Sequence, residues 1–495
     1  MRRLAVLALC VVLALTGCQA PGSTGGHDSL DASASTGGDA AATPATDTES
    51  TAQPVVAGDA PPDPQTDRLG WENGYWHNES LPVTTEDGLN ESERAAVVAR
   101  SMARVEVVRR LEFDTTVPVG LVSRAEYRNR SGGGSPGPAL RRFDNAKFEA
   151  LLLVGEDRGS IAVQDSTLGE SVLGFYSGGR DEIVLVTDSE TPTIDELTLA
   201  HELVHALQDQ QFGLASDART RDGVQGRNGL IEGDATAVEQ AYDARCGEQW
   251  DCLAGGGGGG GGGGDRHFGI NFMLYFPYSD GPGLVNDLRD RGGWAAVDDA
   301  YDDRPDGARE VIAPSEYPDW EREPVDLADR TTGDWDRVRP STDRDRPDYA
   351  VVGPSAIAAS LAYTLTDDYN ESSAVAPQDV INFEDDGSVD SSDPYNYDLP
   401  ATDGWAGGRM HVYSDGTETA YVWKTVWDTD RDAREFATAW EGALAHWGGT
   451  ERAEGTWVLA ADSPFADAVA VRVDGRTVTV VNAPTAAELD EVHDA

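Results

Sequence analysis

The sequence predicts an α+β protein: a largely helical stretch over 69–330, a polar connection at 331–350 and a small α+β unit over 351–495. Three observations carry this reading. Before residue 320, apolar residues recur at three- and four-residue intervals, the spacing that lines one face of a helix. Beyond residue 350, short runs alternate apolar and polar side chains, the spacing of a half-buried strand. Between them, residues 320–348 are polar and crowded with Asp, Arg and Pro, which marks a boundary or a long surface connection.

The first element is a targeting segment. Arg2 and Arg3 precede an apolar run from Leu4 to Leu15, which is too short to cross a bilayer comfortably and lacks a second charged flank. Leu15-Thr16-Gly17-Cys18 resembles a lipobox, the motif whose cysteine becomes the lipid-modified first residue of the mature chain. On that resemblance residues 1–18 are a signal segment and Cys18 is the lipidation site. The mature chain is then expected outside the cytoplasm, anchored to the outer face of the cell membrane through its lipidated N-terminus. The alternative is an ordinary signal peptide with an incidental cysteine. Residues 19–68 are mostly Gly, Ser, Thr, Ala, Pro and Asp, and bury too little apolar surface to offset their ordering entropy. They read as a flexible tether. The folded part is expected to begin near Trp71, Tyr75 and Trp76.

From Glu91 to Leu111 the apolar residues Ala95, Val98, Met102, Val105, Val108 and Leu111 define an amphipathic helix, and a second is expected over Asn145 to Leu153. Leu168 to Thr187 reads as strand, Gly-Gly turn, strand. A helix follows from Thr193 to about Phe212, stopped at Gly213, with Thr193 and Glu196 as its capping box. Another covers roughly Gly229 to Arg245. Gly255 to Gly264 has no side chains to pack and is expected to be a disordered loop insertion, not a phosphate cradle. The chain then resumes with a buried helix after His267, a Tyr/Pro turn, a helix from Gly283 to Arg289 and another around Trp294. In the last part, helices are expected at Pro354 to Tyr363 and Asp432 to Trp447. Strands are expected at Met410 to Tyr413, Thr419 to Trp427 and Thr456 to Ala460, with a hairpin of Ala468 to Val473 and Thr477 to Val481 around Asp474-Gly475.

The chain carries 88 acidic against 38 basic residues, a formal net charge of -50, with the acids scattered along it. Repulsion of this size destabilises a compact state at low salt and is relieved by screening, which points to a high-salt habitat. A calcium-binding surface protein is the rival reading, although no segment matches the alternating-oxygen calcium loop. Nucleic acid is excluded as a partner, since nothing neutralises phosphates. Of the four cysteines, Cys10 lies in the export segment and Cys18 at the lipid site. Cys246 and Cys252 are left as a candidate disulfide across a short polar turn, or as free thiols.

His201-Glu202-Leu203-Val204-His205 carries the chemistry. Residues four apart on a helix lie over one another, so two imidazoles can grip one ion, and neutral imidazole suits Zn2+. Glu202, adjacent to that face, can reach a metal-bound water as general base. The helix is flanked by Leu197, Val204 and Leu207, and buried histidines and acids are costly unless compensated. Gln208 and Gln211 stand where HExxHxxGxxH would place Gly and His, so the third ligand must come from elsewhere. Glu232, in Leu230-Ile231-Glu232-Gly233-Asp234-Ala235, is set among apolar neighbours on the following helix and is the candidate, with Glu239 in reserve. Gly233 and Ala235 are expected to let that helix approach the first. Asp209, Asp234 and Glu239 are candidate partners for the histidines' second N–H, against a reading as solvated surface acids. His267, Tyr242, Tyr275, Tyr278 and His411 are candidates for stabilising a developing oxyanion.

HELVHALQDQ followed by GLIEGDA resembles the gluzincin branch of zinc peptidases. More narrowly, it is similar to a family of haloarchaeal surface lipoproteins and their bacterial relatives, in which HELxHALQDQ precedes an EGDA helix. GGWAAVDDAY and VWKTVWDTDRDAREF extend the likeness over roughly residues 70–490. The resemblance implies a zincin-like fold, His201, His205 and Glu232 as zinc ligands and Glu202 as base. One segment departs: where relatives carry STEQxxHPxxY, this chain has Gly307 to Tyr317 with Ala313 at the histidine position, so no role for that histidine transfers. The function expected is zinc-dependent hydrolysis of a protein or peptide substrate. The alternative is a non-catalytic surface lipoprotein, a scaffold or binding protein with a structural or vestigial metal site; a structural zinc is normally closed by a fourth protein ligand, and none is evident.

Overall fold

The computed structural model describes residues 63–83, 88–131, 136–187, 193–215, 218–253, 266–340, 347–384, 386–390 and 393–494. The export segment with Cys18, the tether up to residue 62 and the Gly255 to Gly264 run lie outside the described residues.

The architecture is mixed, with a helical N-terminal region and a β-rich C-terminal part. In chain order it comprises β1 (Trp71–Glu72), β2 (Tyr75–Trp76), α1 (Glu91–Arg109), β3 (Val119–Ser123), α2 (Arg124–Ser131), α3 (Pro138–Ala150), α4 (Ser160–Ser171), β4 (Gly174–Ser177), β5 (Glu182–Thr187) and α5 (Glu196–Phe212). Then follow α6 (Arg221–Asp243), α7 (Phe268–Ser279), α8 (Gly281–Gly292), α9 (Trp294–Asp299), α10 (Ala308–Ile312), a 3-10 turn (Pro314–Glu316) and β6 (Asp336–Arg337). The last part holds α11 (Pro354–Tyr363), α12 (Pro377–Val380), β7 (Trp405–Ser414), β8 (Thr419–Trp427), α13 (Asp430–His446), β9 (Thr450–Ala453), β10 (Thr456–Val458), β11 (Ala468–Asp474), β12 (Thr477–Ala483) and α14 (Leu489–Val492). Among the described residues, no helix is long and apolar enough to cross a membrane.

Helix α1 starts where expected because Asn90 and Glu93 cap each other's backbone N–H groups, and it ends at Arg110 in the left-handed conformation, φ 63°. The cap of α5 differs from expectation. Asp195, not Thr193, accepts from the Thr198 N–H, and the helix begins at Glu196. Glu196 does not turn back to cap. It is fully buried, where Arg100 and Arg104 of α1 and the Tyr242 hydroxyl of α6 hold it. A buried carboxylate needs such partners more than the helix needs a second cap bond. Cys246 and Cys252 are joined by a disulfide, with Cα atoms 5.4 Å apart.

Strands β3, β5 and β4 form one sheet in that order, β3 parallel and β4 antiparallel to β5. The expected strand–turn–strand is thus β4–β5, while Leu168 to Ser171 ends α4. The larger sheet runs β6-β7-β8-β12-β11-β10-β9 with all neighbours antiparallel, and the β11–β12 hairpin pairs Val473 with Val478 across Asp474-Gly475. Phe436 and Trp440 of α13 cover it, packing on Trp423 and Trp427 with ring centroids 4.9–5.5 Å apart.

The polar connection expected at 331–350 contributes to the core at its start. Trp335 and Val338 are buried, β6 pairs with β7, and one apolar cluster runs from Phe148, Leu153 and Phe272 through Ile357 to Trp423 and Trp440. A polar composition marked a segment that wraps the surface while its few apolar residues dip inward. A second cluster, built from Val97, Met102, Ile183, Leu199, Leu203, Val204, Val238 and Tyr242, sandwiches α5 between α1, α6 and the small sheet.

Candidate metal centre

Helix α5 lies between apolar neighbours, so its one polar stripe has to be satisfied from inside. His201 and His205, a turn apart, bring their Nε2 atoms within 3.2 Å of each other. Glu232 of α6 supplies the third atom: its Oε2 stands 3.4 Å from His201 Nε2 and 3.2 Å from His205 Nε2. His201, His205 and Glu232 are all buried.

The outer nitrogens fix the tautomers. His201 Nδ1 faces Glu239 Oε2 at 3.0 Å, and a carboxylate only accepts, so this nitrogen carries the hydrogen. His205 Nδ1 faces Gln208 Oε1 at 2.9 Å, while the Gln208 amide donates to the Ile231 carbonyl at 3.0 Å and to Asp234 Oδ2 at 3.3 Å. With the hydrogen of each Nδ1 directed outward, both Nε2 atoms converge on the buried Glu232 Oε2. Three acceptors packed this closely repel unless a cation or protons lie among them. A tetrahedral ion bonded at about 2.0–2.1 Å spaces its ligand atoms about 3.3–3.4 Å apart, as these are spaced. The residues fit zinc.

Electrostatics show the same demand for positive charge at this point, one that protons also meet. Burial alone would lower the His201 imidazole, but the facing Glu232 and Glu239 carboxylates outweigh it and push it up to about 10. Burial also acts to lower His205, and Glu232 again outweighs it. Burial pushes Glu232 up, yet the pull of His205 and His201 leaves it below the ordinary carboxylate range. Glu202 is fully buried beside the triangle, and its charge raises both imidazoles. Strand β4 passes directly over it: a Cβ on Gly174 would stand 3.1 Å from Glu202 Oε1 and 2.9 Å from Leu185 Cδ2.

Behind these three side chains, Asp234 anchors the arrangement. It takes Arg109 Nε of α1 at 2.8 Å and the Tyr301 hydroxyl at 2.8 Å in addition to Gln208. Among the proposed supporting acids, Glu239 contacts His201 directly and Asp234 reaches His205 through Gln208. Asp209 contacts neither histidine. It accepts the Leu214 N–H, just past the end of the helix, at 2.7 Å and the Tyr176 hydroxyl of β4 at 3.0 Å. Gly233 also corrects an expectation. It faces away from α5, and a Cβ there would meet the Gly281 carbonyl carbon and oxygen at 2.3 Å, so it serves the approach of α8.

Three of the aromatic and histidine candidates for stabilising an oxyanion are engaged elsewhere. The Tyr242 hydroxyl donates to Glu196, His267 Nδ1 caps α7 by accepting the Ile270 N–H at 3.2 Å, and His411 Nδ1 lies 3.1 Å from Asp329. Tyr278 does reach the centre, its ring stacked on His201 with centroids 6.1 Å apart, and Tyr275 stacks on Tyr278 at 5.7 Å. Gln208, Arg109 and Tyr301 were not anticipated from the sequence. Only Gln208 left a local signal, its position one turn after His205.

Residues 337–493 match the model of a family described as a domain of unknown function (DUF8575). The metal-centre residues all lie before that segment. No curated protein and no solved structure matches the chain.

Proposed function

We propose that this chain is a zinc-dependent metallopeptidase of zincin-like fold, exported and held at the outer face of the cell membrane by a lipid on Cys18. The observation that carries the reading is the triangle of His201 Nε2, His205 Nε2 and Glu232 Oε2, 3.2–3.4 Å on a side, with Glu202 beside it on the same helix. His201, His205 and Glu232 would hold the ion. When bound, zinc would polarise the scissile carbonyl and acidify the attacking water. Glu202, whose charge acts on both imidazoles, would take that water's proton on one oxygen and return it to the leaving amine. Glu239 and Gln208 would keep each imidazole in the tautomer that turns Nε2 inward. Tyr278 and Tyr275 are the side chains at hand to steady the developing oxyanion.

A second reading rests on burial. The side chains of His201, His205 and Glu232 are at most 4 % exposed, which suits a closed metal site in a non-catalytic surface lipoprotein equally well. One experiment separates the two. The purified chain should carry one zinc by elemental analysis and hydrolyse an unfolded protein such as casein in molar salt. Glu202→Gln should keep the zinc and lose about 10²–10⁴-fold in hydrolysis. An unchanged rate in that variant removes Glu202 as the base. A chain that binds zinc without hydrolysis establishes the second reading, and a chain that binds none removes the site.

A further inference from the structure

A second group of acids lies where the helical region meets the large sheet. Glu149 is in the last turn of α3, Glu156 follows in the loop after it, and Asp467 stands just ahead of β11. Each offers a carboxylate oxygen, and these oxygens all lie within 4.8 Å of one another. The loop is pinned against the sheet's connections. The Glu156 N–H donates to the Pro464 carbonyl at 3.2 Å, and a Cβ on Gly155 would stand 2.5 Å from that same oxygen.

Acids in a chain of net charge -50 meet by chance, but Glu149 is not such a case. It is 5 % exposed, its carboxylate is aimed at the other two, and among the described residues that carboxylate has no hydrogen bond and no ion pair. None of the three acids pairs with Lys or Arg among the described residues, and Asp467 has only the Asn482 amide, 2.8 Å away. The oxygen of that amide, Asn482 Oδ1, is itself buried without a partner among the described residues. Glu418 and Glu488 add further negative charge around Asp467. A buried carboxylate with only like charges beside it is strongly unfavourable unless something positive compensates.

We propose that Glu149, Glu156 and Asp467 bind a hard divalent cation of the calcium class, which clamps the helical region onto the C-terminal sheet. Oxygen-only donors select such an ion over zinc. Ligand oxygens on opposite sides of calcium are separated by up to twice a Ca–O bond of about 2.3–2.6 Å, which spans the cluster. Exposed Glu156 leaves one side open, where water completes the shell. The site draws on both regions: Asp467 and Asn482 lie inside the matched segment 337–493, whereas Glu149 and Glu156 lie outside it. The chain separation of its ligands explains why no local calcium motif marks it. The proposal is independent of the zinc centre.

The test uses the full chain, freed of metal, reloaded with one equivalent of zinc and titrated with Ca2+ in molar NaCl, where diffuse counterion binding is screened. Calorimetry should show one saturable site, and the melting temperature should rise with Ca2+, as for any ligand bound only by the folded state. Glu156→Gln changes an exposed loop residue and should weaken Ca2+ about tenfold by removing one charged ligand. Glu149→Gln should abolish the Ca2+-dependent rise. A wild-type melting temperature indifferent to Ca2+ would mean that protons, not a cation, neutralise these acids, and would overturn the proposal. So would equal Ca2+ binding by wild type and Glu156→Gln, whatever the fate of the buried variant.

Discussion

Gln208 joins the two helices of the candidate metal centre: its oxygen takes the His205 Nδ1–H, and its amide reaches the Ile231 carbonyl and Asp234 on α6. Residues that orient a metal-bound histidine typically contribute 10–100-fold to affinity, so Gln208→Ala should weaken zinc by about that factor. Competition against a chromophoric chelator measures it. An unchanged affinity would show that His205 is positioned by packing alone. The same residue shows what was legible at this scale. The four-residue spacing of His201 and His205 is local, and reading it requires only helical geometry. Glu232 was legible because a carboxylate among Leu230, Ile231 and Ala235 demands a partner. Asp209 stayed open between two readings because its spacing from His205 also matched, and spacing does not say whether a side chain turns along the helix or toward its end.

At the scale of elements, periodicity located the helices around the site, but not their faces. Helix α6 is lined by glycines that each serve a different neighbour. A Cβ at Gly226 would meet Gly307 backbone at 2.5 Å, one at Gly229 would meet Val311 at 2.5 Å, and one at Gly233 would meet Gly281 at 2.3 Å. Glu232 thus points to α5 while its neighbour Gly233 is pressed against the start of α8. Gly233→Ala should force the helices apart and destabilise the fold by about 1–3 kcal/mol, the usual cost of overpacking. Because Glu232 rides on the displaced backbone, zinc affinity should fall in the same variant. Denaturant midpoints and zinc titrations check the two effects, and a variant as stable as wild type would mean that α8 is free to shift. Helix α4 and strands β3 and β9 escaped notice for a related reason. β3 is a five-residue strand whose pairing partner β5 is distant in sequence, and β9 is a short, exposed edge. What such elements become is decided by the neighbour, not by their own pattern.

For the whole molecule, the surplus of acid extends into the interior. Burial pushes the Glu106 carboxyl up to about 9 and its neighbour Glu72 up to about 7, from an ordinary 4.5, so that the pair keeps a proton at neutral pH. Burial likewise raises Glu310 to about 7. These folded-state values lie above the unfolded ones, so the folded chain holds protons that the unfolded chain has already released. Stability is then greatest near or below the unfolded value and declines as pH climbs from there toward each raised value. Each retained proton lowers stability by about 1.4 kcal/mol per pH unit across its window. Surface repulsion at net charge -50 acts in the same direction, since lower pH discharges acids, but salt screens that part and leaves the buried part. The metal-free chain should therefore lose melting temperature as pH rises from about 5 to about 9, steeply in dilute buffer and less steeply, though still measurably, in molar salt. Glu106→Gln, which keeps the shape of the side chain and removes its proton equilibrium, should flatten the residual slope in molar salt. A melting temperature that climbs with pH over this range would mean that these carboxyls are ionised in the fold, and a slope that vanishes entirely in salt would assign the whole effect to the surface.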